Sequence, residues 1–78
     1  MSVEVFRTNL EHYKESEILL LKLKQHFPDY LMNMDMEDCD KILRVEGKNI
    51  LSEQIIKSVI FYGYNCEELP DQVWTSLC

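Results

Sequence analysis

The sequence predicts an α+β sandwich of order β-α-β-β-α-β, a four-stranded antiparallel sheet with two helices on one face. Three observations carry this prediction. Stretches of period two at 3–8, 30–36 and 41–46 alternate with stretches of helical period at 11–26 and 52–62. A short final strand is expected at 65–69, after a glycine stop. Six elements within about 70 residues match the split-βαβ, or ferredoxin-like, arrangement.

Each element has a local reason. The first helix places Tyr13, Ser16, Leu20, Leu23 and Phe27 on one stripe, with Leu19 at its edge, when about 100° is allowed per residue. Ile18 and Leu21 fall outside that stripe and are expected to be exposed. Pro28 ends the helix by biasing Phe27 away from αR. Lys22, Lys24 and His26 lie in the last turns, where cations oppose the negative end of the helix dipole. The second strand puts Tyr30, Met32, Met34 and Met36 on one face and Leu31, Asn33 and Asp35 on the other. In the third strand Leu43 and Val45 share a side opposite to Ile42 and Arg44. A polar hairpin, 37–40, joins these two strands. Ser52 is expected to cap the second helix, with Glu53 in its first turn. Gly63 is the left-handed residue expected to stop it. Residues 1–70 thus form one domain, and 71–78 form a C-terminal tail carrying Val73, Trp74 and Leu77.

Composition bounds the function. A chain of 78 residues makes a single small core, and 46% hydrophobic content is enough for one sheet covered by two helices. The formal charge of −6, with eight scattered Lys and Arg, argues against nucleic acid, because phosphate binding needs clustered cations. No run approaches the roughly 18 apolar residues of a membrane span, and the opening MSVEVFRTN lacks the basic-then-apolar pattern of a signal peptide. Three cysteines at unrelated spacings fit reduced thiols and a cytoplasmic location better than a disulfide framework.

Three stretches carry a resemblance: 6–9 (FRTN), 34–35 leading to 40–46 (MD, then DKILRVE), and 55–57 (IIK) with Gly63-Tyr64 before the last strand. Taken together, in order and spacing, they resemble the heavy-metal-associated domain family of small copper-chaperone-like proteins, over residues 3 to 69. The resemblance implies the same fold and a soft-metal site formed by a Cys-x-x-Cys pair after the first strand. Its alignment puts those two positions near His12 and Glu15, and neither is cysteine. An imidazole and a carboxylate lack the softness that Cu(I) requires, so the chain looks like a member without the thiolate motif. The resemblance also implies that Phe6, Thr8 and Leu10 point toward the helices. Val3 and Val5 then lie on the open sheet face with Ile42, and Leu31 is a further candidate. Alternation alone is equally compatible with the opposite register, which buries Val3 and Val5.

Candidate sites follow from the chain order, which brings 9–13, 37–40 and 63–66 to one end of the molecule. His12, Glu15, Cys39 and Cys66 form a conceivable mixed ligand set there for zinc or copper. The expectation without a metal is a cluster of ordinary polar loop residues and no cofactor. Met32, Met34 and Met36 have the spacing of a buried strand face, and core is the expected role. The acidic hairpin lacks the Gly and Glu of a calcium loop and reads as a solvated turn. Cys66 has no oriented base, so no enzyme is expected. An apolar open face must be covered, either by the tail through Trp74 or by a second protein chain. The expected function is therefore a non-catalytic binding module acting through protein–protein contacts or self-association. Altered metal binding is the alternative, and a metabolite-binding sheet-face dimer is a third reading by analogy of fold alone.

Overall fold

The computed structural model describes residues 2–37 and 41–69. Its elements are β1 (Ser2–Thr8), α1 (Tyr13–His26), β2 (Leu31–Asp35), β3 (Ile42–Gly47), α2 (Ser52–Phe61) and β4 (Cys66–Leu69). The strands form one antiparallel sheet in the order β2-β3-β1-β4, so the two halves interlock with β1 and β3 at the centre. This is the ferredoxin-like α+β arrangement that the periodicities predict.

The core lies between sheet and helices. Phe6, Leu43, Val45 and Met32 from the strands meet Leu19 and Leu23 of α1 and Ile55 and Val59 of α2, with Leu10 and Met36 from the adjoining loops. Each such side chain contributes about 1.5–3 kcal/mol by leaving water. Met32 and Met36 are buried and Met34 packs against the same cluster. The methionine stripe is thus a packing face of β2, as its spacing suggests.

Two details of the helices differ from the sequence reading. In α1 the buried residues are Ser16, Leu19 and Leu23, while Tyr13 is 62% exposed. Leu19 belongs to the centre of the stripe and Tyr13 lies outside it. A wheel drawn on the sequence finds an apolar face, but what the helix packs against sets its rotation about its own axis. Ile18 and Leu21 are exposed, as expected. The buried Ser16 is tolerated because its hydroxyl donates to the Tyr13 carbonyl at 2.6 Å. In α2 the cap position is Leu51, with no side-chain cap bond, and Ser52 is the first helical residue. The Ser52 hydroxyl donates instead to Glu68 of β4 at 3.0 Å, a cross-element partner that competes with local capping.

The end of α2 follows the expected chemistry. Gly63 has φ +98°, a conformation costly for any residue with a Cβ. Its N–H donates to the Ile60 carbonyl at 2.9 Å, and the Tyr64 N–H donates to Val59 at 3.2 Å. That pair of bonds is a Schellman stop, which satisfies carbonyls the helix leaves open.

Candidate functional site

Two regions compete as the working surface: the loop end above β1 and the open face of the sheet. The loop end is tied together by polar contacts. Thr8 donates its hydroxyl to the Lys41 carbonyl at 2.6 Å, and its backbone N–H reaches the same oxygen at 3.2 Å. Lys41 is held at φ 49° and its ammonium donates to the Met36 carbonyl at 3.0 Å. The Asn65 N–H donates to the Asn9 side-chain oxygen at 2.9 Å. Thus 9–13, the ends of the β2–β3 connection and 63–66 do share one end.

Of the proposed ligands, His12, Glu15 and Cys66 are described, and they do not form a group able to hold a metal ion. His12 is exposed at the cap position of α1, in extended conformation. Glu15, one turn into α1, accepts a hydrogen bond from the Tyr64 hydroxyl at 3.3 Å. Desolvation, then the charge of Glu15 and this bond, raise the Tyr64 pKa. Cys66 begins β4 opposite Thr8, which places it on the helix-facing side, and it packs against the core cluster. Burial, reinforced by the nearby Glu68 charge, pushes its thiol up to about 12. Cys39 lies outside the described residues. Among the described residues no three His, Cys, Asp or Glu side chains form a group able to hold a metal ion. A soft-metal site needs paired thiolates. The described donors offer an exposed imidazole, a carboxylate engaged by a tyrosine, and a thiol that stays protonated. They do not fit the group that the resemblance implies.

The open face is built by register. Three rows cross it: Leu31–Glu46–Val3, Asn33–Arg44–Val5–Leu69, and Asp35–Ile42–Arg7–Glu67. Val5, Ile42 and Leu69 form a second buried cluster, separate from the core, with Val3 packed against it. The orientation that points Phe6, Thr8 and Leu10 to the helices is therefore the one adopted, since all three are buried on the other side. Around the apolar strip are charges of both signs, including an Arg7–Glu67 ion pair at 3.8 Å. Leu31, on the edge strand β2, is 59% exposed.

Several features escape sequence reading. Leu69 joins Val5 only through the β1–β4 pairing, although its alternation with Glu68 is visible in the chain. Tyr30 stacks on Phe27 with ring centroids 5.6 Å apart. Its hydroxyl donates to the Asn49 carbonyl at 2.9 Å and accepts from the Leu51 N–H at 3.1 Å. Between the helices, the Tyr62 hydroxyl lies 2.7 Å from His26 Nε2, with the Lys22 ammonium 4.8 Å from the Tyr62 ring centre. Aromatic residues next to element ends are the only signal of these contacts in the chain. No described helix is long and apolar enough to cross a membrane. Comparisons with protein-family models, with curated proteins and with solved structures give no match.

Proposed function

We propose that this chain is a non-catalytic binding module that works through protein contacts on the open face of its sheet. In this reading it resembles a heavy-metal-associated domain whose thiolate site has been lost. One observation carries the proposal: on the face away from the helices, mixed charges surround the buried cluster of Val5, Ile42 and Leu69, and at the β2 edge of the same face Leu31 is 59% exposed. A large exposed side chain on an edge strand, with polar and charged neighbours, suits a contact with a protein partner. The opposite case, a catalytic or metal centre at the loop end, lacks converging donors and an activated nucleophile among the described residues.

The test has two arms. A photo-crosslinking residue placed at Leu31 is expected to give a discrete protein adduct in the cells that make the chain. The same probe at Glu53, exposed on α2, is expected to give none. No adduct from Leu31, or equal adducts from both, removes the proposal. In the second arm, native mass spectrometry with Zn(II) and Cu(I) is expected to show no stoichiometric complex. A complex abolished by Cys66→Ser or His12→Ala would replace the proposal with metal handling.

A further inference from the structure

Two sides of α1 are engaged within the chain. Ser16, Leu19 and Leu23 are buried beneath it, and Glu15 and Lys22 turn toward the end of α2, where they meet Tyr64 and Tyr62. The flank away from α2 carries Glu17, Leu20, Leu21 and Lys24, which line a surface groove of about 290 Å³. At about 100° per residue these four fall in one arc of the helix, and Tyr13 falls in the same arc. Leu21 is 63% and Tyr13 62% exposed, while Leu20 is half-buried against the core cluster. Lys24 also borders a cleft with Pro28, Leu31, Met32 and Asn33, so this flank runs on to the edge strand β2. Neither Glu17 nor Lys24 has an ion pair among the described residues. The flank thus has an apolar centre with a free charge on each side of it, negative toward the start of the helix and positive toward its end.

We infer that this flank of α1 pairs with the same flank of a second copy of the chain, the two helices antiparallel about a two-fold axis that passes between Leu20 and Leu21. The order of charges argues for a second copy as the occupant. Glu17 lies three and four residues before the two leucines, and Lys24 lies three and four residues after them. A two-fold axis through the leucines therefore sets Glu17 of each copy beside Lys24 of the other, so that two ion pairs flank one apolar centre. Tyr13 and Pro28 are also equidistant from this axis, and both are exposed, so an apolar contact closes each end. The antiparallel sense opposes the two helix dipoles and brings the first turn of one helix, with Glu15, to the last turn of the other, with Lys24 and His26. A parallel pair would instead set Glu17 against Glu17 and Lys24 against Lys24. This surface is distinct from the open face, and the pairing does not rest on the function proposed for that face. It needs none of residues 70–78, which include Trp74 and lie outside the described residues.

Sedimentation of the full chain over a range of concentrations is expected to show a monomer–dimer equilibrium. Glu17→Lys and Lys24→Glu are each expected to weaken the dimer about tenfold, because each sets like charges together twice. The double swap, Glu17→Lys with Lys24→Glu, is expected to restore it, since the same two pairs form with their signs exchanged. Leu21→Asp is expected to leave a folded monomer, with the far-ultraviolet dichroism of the parent. Phe61→Ser, at a side chain 82% exposed on α2, is expected to leave the dimer intact. If Leu21→Asp does not fold, the two charge variants and their swap decide. A chain that stays monomeric at every concentration overturns the inference. So does a dimer that survives Leu21→Asp, or a double swap no stronger than the single variants. A dimer lost in Phe61→Ser assigns the contact to α2 and overturns it as well. A monomer whose probe at Leu31 captures a different protein removes the pairing and leaves the proposed function; a dimer with no such adduct does the reverse.

Discussion

At the residue scale, chemistry depends on which way a side chain is turned. Cys66 is a thiol within reach of solvent in sequence terms, yet opposite Thr8 it faces the core and holds its proton to about 12 against an ordinary 9.0. The unfolded chain therefore loses this proton first as pH rises. Its contribution to stability is complete below pH 9 and falls between pH 9 and about 12. The midpoint of urea unfolding is expected to drop across that window, and to drop less steeply in Cys66→Ala. The same protonation predicts slow alkylation at neutral pH, measured in a Cys39→Ser/Cys78→Ser background. Gly47 supplies a second residue-scale prediction. A Cβ at this position would lie 2.7 Å from Tyr30 Cδ1, and the ring cannot swing away without losing its bonds to Asn49 and Leu51. Gly47→Ala is expected to cost about 1–3 kcal/mol in denaturant unfolding. Adding Tyr30→Leu, which removes the ring, is expected to recover part of that loss.

At the element scale, helix ends were the most readable feature and helix rotation the least. Pro28 and Gly63 act through backbone chemistry that any neighbour leaves intact, so both stops fall where the chain places them. Gly63→Ala forces a Cβ into φ +98° and is expected to cost about 1–2 kcal/mol, read as a lower thermal midpoint with α2 fraying first in amide exchange. Beginnings of helices behaved otherwise. Ser52 has the right chemistry for a cap, but Glu68 on the neighbouring strand offers its hydroxyl a charged acceptor, and a charge-assisted bond is the stronger one. Likewise Leu19 and Tyr13 exchange roles in α1 because the sheet beneath decides which residues of a broad apolar arc are covered.

At the scale of the whole molecule, the open face is where the energetics are most informative. Ile42 is 2% exposed, and Ile42→Ala is expected to cost about 2–4 kcal/mol, although it belongs to the cluster away from the helices. Leu31→Ala, on the neighbouring edge strand of the same face and 59% exposed, is expected to stay within about 0.5 kcal/mol of the parent. Equal effects at the two positions would show that the face is uniformly bare. The order of elements, the helix stops, the methionine packing face and the exposed Ile18 and Leu21 were all determined by the sequence, because each depends on periodicity or on a backbone preference acting within a few residues. The cluster of Val5, Ile42 and Leu69 and the inward turn of Cys66 were decided only by the tertiary structure. Those features depend on strand register and on distances between residues remote in the chain, and alternation along one strand, having two equivalent phases, carries no record of either.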